Sequence, residues 1–145
     1  MDKFAMKTLI YEKGLPDFAK NIRKAVFQDE QGFLDEFDDT DEIATHFVMF
    51  DEDERPIATC RVFSNDDNDA YILGRLAVCK EYRHHNVGSL MMREAENYVR
   101  DVDGKSISLH AQCRASAFYR KNGYMEFGET DDDEGCPHIW MKKIL

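Results

Sequence analysis

Between residues 71 and 102 the chain passes from an apolar run, through a short basic turn, into its most regular amphipathic segment. Val87, Leu90, Met91, Ala95, Tyr98, Val99 and Val102 recur at i, i+3, i+4 spacing, which gathers them into one apolar stripe on a helix. Such a stripe has to be buried against a second layer. The chain supplies that layer as short β-rich runs. Residues 45–50 and 57–63 are apolar and flank the turn sequence DEDERP, so they read as a hairpin. Residues 71–78 read as a central strand, with Gly74 marking a bulge or a close backbone approach. In 106–112, Ile107, Leu109 and Ala111 alternate with polar residues, the period of a strand.

The remaining elements follow from punctuation. Residues 4–11 read as a first strand, broken by Gly14-Leu15-Pro16. Leu15, Phe18, Ile22, Ala25 and Val26 then predict a helix to about Gln31. Residues 115–122 predict a short helix closed by Gly123. Residues 124–129 and 138–142 read as a last pair of strands joined by the acidic loop TDDDEG. The run DEFDDTDE at 35–42 reads as a solvated loop, because it lacks the central glycine of a calcium loop. SNDDND at 64–69 is another loop. The order is β-α-β-β-β-α-β-α-β-β, with no repeat and no internal boundary. We expect one α/β (α+β) domain over 1–145.

Composition limits the partners. Nineteen Lys+Arg against 29 Asp+Glu give a formal charge of −10, which argues against nucleic acid or an anionic membrane as partner. Cys60, Cys79, Cys113 and Cys136 form no C-x-x-C pair, so no metal site is expected. The first residues, MDKFAMKTLI, lack the apolar core of a signal peptide. No stretch approaches the roughly 18 apolar residues of a membrane span. The expected location is cytoplasmic.

Against this acidic background the turn YRHHNVGS at 82–89 is basic, and it opens the amphipathic helix. A helix N-terminus presents free amides and a partial positive charge to an anion. Gly88 and Ser89 are small enough to let an anion reach the backbone, and Asn86 tolerates positive φ. Arg83, His84 and His85 add donors at the rim. Neither G-x-x-x-x-G-K-[ST] nor G-x-G-x-x-G is present.

The segment LAV-x-x-x-YR-x-x-N-x-G-S-x-LM resembles motif A of the GNAT acyltransferase superfamily, whose loop reads [QR]-x-x-G-x-[GA]. Arg83 and Gly88 match its ends, and Asn86 replaces its first glycine. FYRKNGY at 118–124 resembles the FY-x-x-x-GF signature of motif B. AVFQDEQGF near residue 25, ATHFV at 44–48, AQCRASAFY at 111–119 and EGCPHIWMKK at 134–143 are together similar to the ElaA-like (YjcF-like) branch.

This resemblance implies the GNAT fold, a mixed sheet of six to seven strands flanked by three to four helices. It implies direct transfer of an acetyl group from acetyl-CoA to an amine of a small molecule or protein. The cosubstrate then runs along Leu76, Ala77 and Val78, with the backbone of Leu76 and Val78 bonding the pantetheine arm. Its pyrophosphate sits on the turn Arg83, His84, His85, Asn86, Val87, Gly88 and Ser89. Gln112 falls where many members carry an asparagine near the sulfur. Tyr119 occupies the position of the acid that protonates the departing thiolate, and Phe118 reads as core. The base is open: His46 and His138 are the first candidates, Glu30 and Glu134 further ones. His110 receives no role, and Cys113 reads as a small buried residue rather than a nucleophile. GNAT domains often dimerise, so a homodimer is an expectation. The alternative reading is a non-catalytic acyl-CoA-binding sensor or interaction module.

Overall fold

A computed structural model of the chain describes residues 6–34, 37–65 and 69–145. Seven strands form one mixed sheet in the order β1-β2-β3-β4-β5-β7-β6. They are β1 (Lys7–Tyr11), β2 (Thr45–Phe50), β3 (Pro56–Ser64), β4 (Ala70–Val78), β5 (Ser106–Gln112), β6 (Met125–Asp133) and β7 (Cys136–Ile144). Helices α1 (Asp17–Arg23), α2 (Thr40–Ile43), α3 (Val87–Asp101) and α4 (Ser116–Lys121) complete the chain. No helix among the described residues is long and apolar enough to cross a membrane.

The sheet is covered on both faces, which explains why its central strands are apolar almost throughout. In β2, Phe47 and Met49 join the core under α3, while Val48 and Phe50 join the core under α1. Of the stripe predicted for residues 87–102, Val87, Met91, Ala95 and Val99 are at most 1% exposed, joined by Met92, whereas Val102 lies just past α3 and is 42% exposed.

Three segments differ from the sequence expectation. The helix begun at Asp17 does not stay α-helical to Gln31. From Lys24 to Glu30 it widens into a π-helix, and its end is marked by the bonds Gln31 N to Val26 O and Phe33 N to Phe27 O. The expected loop TDDDEG is largely strand. A bulge between Phe127 and Asp131, with Gly128 at φ 75°, resets the register. The chain then turns only at Glu134 and Gly135, both at positive φ. Third, the acidic run is not simply solvated. Residues 35, 36 and 66–68 lie outside the described residues, as do 1–5, which include residues 4 and 5 of the expected first strand.

Two carboxylates of that run close a buried ion network instead. Arg23, on α1, and Arg61, on β3, are 1% and 5% exposed. Buried guanidiniums need anionic partners. Asp41 accepts 2.7 and 3.1 Å bonds from Arg23 and a 2.9 Å bond from Arg61. Asp38 accepts 2.6 and 3.1 Å bonds from Arg61. Burial alone pushes the Asp41 carboxyl up, but the two guanidiniums prevail and hold it at about 2. Arg75, on β4, reaches the same Asp38 at 3.4 Å.

β4 is where the sheet becomes irregular. Thr59 faces Ala77 and Arg61 faces Gly74, so Cys60 stands opposite both Arg75 and Leu76. The surplus residue is absorbed by Arg75 at φ 54°. β4 and β5 are the parallel pair, and their pairing runs only from Ala70–Ser106 to Leu73–Leu109. Past that point the strands part.

Replacing Asp41 by Asn leaves two buried guanidiniums short of countercharge. We expect a loss of about 3–5 kcal/mol in denaturant unfolding near neutral pH. The ionised Asp41 contributes fully above the unfolded carboxyl value near ~3.9. That contribution fades as pH falls toward about 2, so the gap between wild type and D41N should close over that window.

Candidate functional site

The parting of β4 and β5 opens a cleft of about 670 Å³. One wall is β4 from Leu73 to Val78 and the turn that follows it. After a short 3₁₀ turn at Lys80–Tyr82, the chain carries two left-handed residues, His84 at φ 68° and Asn86 at φ 65°. They fold the segment so that α3 begins at the cleft. No side chain caps that helix at Asn86, so its first amides remain available to an outside acceptor. The asparagine that departs from the motif glycine therefore adopts the left-handed conformation such a turn requires.

Gly88 is fixed by its surroundings. A Cβ there would stand 3.0 Å from Cζ of Phe118. Phe118 lines the cleft as well as packing on the core. The turn thus offers bare backbone backed by an aromatic ring, a cradle that suits an anion with several acceptor oxygens. Arg83 stands beside it, but its donors are engaged: Nε bonds the Val78 carbonyl at 3.1 Å, and the two terminal nitrogens bond Glu30 at 2.6 and 2.7 Å. That bidentate pair holds the Glu30 carboxyl below its ordinary value, so Glu30 is a poor proton acceptor. Glu134 is likewise engaged, accepting a 2.8 Å bond from the Leu34 amide.

The other wall comes from β5, α4 and β7. Tyr119 lines the cleft, edge-on to Phe118 at 5.0 Å and to Tyr124 at 6.2 Å. Burial, with a smaller push from Cys60, raises its phenol well above the usual range, so it keeps its proton. Its hydroxyl has no hydrogen-bond partner among the described residues. Gln112 is locked: its Nε2 donates to Gln31 at 2.9 Å, and Arg114 donates to its Oε1 at 2.7 Å.

Of the predicted residues, Leu76, Val78, Arg83, His84, Asn86, Val87, Gly88, Ser89, Gln112, Tyr119 and His138 come together on the cleft. Three do not. His85 is exposed outside it. Ala77 turns its side chain into the core under α1, leaving only its backbone for any cosubstrate contact. His46 is 1% exposed, forms no part of the cleft wall and pairs its Nε2 with the Asp41 carbonyl at 2.8 Å. Burial lowers its pKa. Its place is beside the ion network, which removes it from the candidate bases.

His138 is buried, with Nδ1 2.8 Å from the Cys136 carbonyl and the ring edge-on to Phe33 at 6.4 Å. The sequence reading missed His110, Gln31, Phe33, Arg75 and Asp133, all on the cleft wall. For His110 a signal existed. It lies two residues before Gln112 on one strand, and so must share its face.

Comparison with known proteins agrees with this geometry. The acetyltransferase (GNAT) domain family matches residues 17–145. The uncharacterized N-acetyltransferase YjcF of Bacillus subtilis (strain 168) is 32% identical over 125 residues, covering 84% of this chain and 87% of that protein. The uncharacterized protein YyaT of the same organism is 30% identical over 132 residues, 88% of this chain and 87% of that one. The crystal structure of Escherichia coli ElaA superposes with a TM-score of 0.82 at 25% identity, covering 97% of this chain and 99% of that one. The parted strands, the small-residue turn and the matching family together show that this chain belongs to the GNAT acetyltransferases, enzymes that transfer an acyl group from an acyl-CoA.

Proposed function

We propose that this protein transfers acetyl from acetyl-CoA directly to an amine of a small molecule or protein. The observation that carries the reading is the junction of the cradle at Asn86–Ser89 with the gap between β4 and β5 in one cleft. A thioester anchored at the turn reaches the gap along β4. Acetyl-CoA, when bound, supplies the activated acyl carbon and a thiolate leaving group.

The chain's own residues do the rest. The amides at the start of α3 hold the diphosphate, with Ser89 as a further donor and His84 at the rim. Leu76 and Val78 present backbone groups to the pantetheine arm, because β4 past its bulge no longer pairs with β5. Gln112, fixed by Gln31 and Arg114, positions the thioester end. Tyr119, kept protonated by burial, gives its proton to the departing thiolate. The acceptor ammonium loses its proton to the histidine wall formed by β5 and β7, on which the sequence singles out His138. Asp133 on the same wall favours a cationic acceptor.

Calorimetry of acetyl-CoA binding tests the cradle. We expect micromolar affinity for wild type and none measurable for Gly88→Glu, which sets bulk against Phe118 and a negative charge on the anion site. Wild type without affinity for acetyl-CoA overturns the reading. Tyr119→Phe tests the acid separately. Thiol release in a screen of primary amines should fall about 10²- to 10⁴-fold with binding retained. Unchanged turnover in Y119F would remove the tyrosine from the mechanism.

A further inference from the structure

We propose that His110 is the group that takes the proton from the acceptor ammonium, and that Asp131 holds it in the tautomer this requires. The inference rests on the acyl-transfer reading above and names a residue for its unassigned step.

Nε2 of His110 lies 2.7 Å from Oδ1 of Asp131. The contact spans three strands, from β5 past β7 to β6. An ionised carboxylate only accepts, so the ring nitrogen facing it carries the hydrogen. The lone pair of the neutral ring is then on Nδ1. That nitrogen has no hydrogen-bond partner among the described residues, and the ring lines the cleft.

Register explains the assembly. His110 faces Trp140 and Gln112 faces His138 across the β5–β7 pairing, and Asp131 faces His138 across β6–β7. All five therefore share one face of the sheet. The His110 ring stacks on His138 with centroids 4.7 Å apart and lies 5.0 Å from Trp140. The two rings differ in their partners. His138 sets Nδ1 against a backbone carbonyl, whereas His110 sets Nε2 against a carboxylate, the pairing that leaves Nδ1 of His110 turned to the cleft. The His138 and Trp140 rings flank His110 and hold it in place.

The step balances as follows. An ammonium N–H bond breaks and its proton joins Nδ1 of His110. The freed nitrogen pair forms the N–C bond to the thioester carbon, and the C–S bond breaks. Tyr119 protonates the thiolate, and the surplus proton of the new amide nitrogen restores Tyr119. The proton on His110 returns to solvent.

The test uses two small nucleophiles with acetyl-CoA near neutral pH: ethanolamine, which is protonated there, and hydroxylamine, which is largely not. His110→Gln should slow transfer to ethanolamine by about 10²- to 10⁴-fold. It should slow transfer to hydroxylamine by less than about tenfold and leave acetyl-CoA affinity unchanged, since hydroxylamine needs no base. Asp131→Asn, which changes a positioning residue, should give a smaller loss with the same selectivity. Equal losses for both nucleophiles in a folded H110Q, or no loss for either, overturn the role of His110 while leaving the acyltransferase reading standing. Wild type that binds no acetyl-CoA overturns both. Two-bond proton–nitrogen NMR reads the tautomer without any acceptor. Hydrogen on Nε2 of His110 in wild type is expected, and hydrogen on Nδ1 of the neutral ring would refute the proposal.

Discussion

The left-handed backbone at Arg75 is the constraint on which the site depends. A non-glycine residue at φ 54° costs on the order of 1–3 kcal/mol. Without it, β4 would continue in register with β3 and could follow β5 to its end, leaving no gap. The surrounding structure holds the strain in place. Arg75 is tied to Asp38, Asp38 to Arg61, and Arg61 lies opposite Gly74 on β3, directly before the bulge. Gly74 leaves room for this crossing: a Cβ there would meet only Nε of Arg61, at 3.9 Å. The bulge is thus stabilised by charges from a segment that looks like a solvated loop.

Charge is sorted within the molecule rather than spread over it. The net charge of −10 coexists with a turn of Arg83, His84 and His85 at the start of α3. Exposed charges are screened beyond roughly 8–10 Å at physiological salt, so a short-range cradle functions regardless of the distant acidic surface. Arg83 is not a free cation in this conformation, since Glu30 occupies both its terminal nitrogens. The proposed anion site is accordingly a backbone site first, and this is why bulk at Gly88 is expected to matter more there than any one side-chain charge.

The fold was legible because its signals are local and redundant. α3 declares itself by a stripe over four turns, and each strand by alternation or by bounding turns. The glycine-tipped turn was legible for the same reason: Asn86, Gly88 and Ser89 are the residue types its geometry demands. The π-helical segment at Lys24–Glu30 was not, since its residues KAVFQDE continue a normal helical pattern and the widening shows only in i→i+5 bonds. The role of the acidic run was hidden because Asp38 and Asp41 find their partners in Arg61 and Arg23, residues distant in sequence. His46 misled for a related reason. Its segment matched a family pattern, but β2 places it opposite Arg61, under α1 and outside the cleft. His110 was visible through the period of β5, yet its significance depends on Asp131, whose register is set by a bulge.

The two groups proposed to transfer protons stand on different faces of the sheet. Tyr119 packs with the core under α3, whereas His110 shares its face with Gln112 and His138, opposite the Leu109 and Ala111 side chains that enter that core. An unbroken sheet would separate them by its own thickness and by a row of paired backbone groups. Only where β4 and β5 have parted can a nucleophile on one face meet a thioester reached from the other. The proposed acid and base then stand in separate surroundings, the phenol against an apolar core and the imidazole against a carboxylate on the edge strand. The same opening leaves amide and carbonyl groups of β4 without sheet partners, which costs stability unless a ligand accepts them. The gap therefore separates the two proposed proton-transfer environments and, at the same time, frees the backbone groups proposed to bind the cosubstrate.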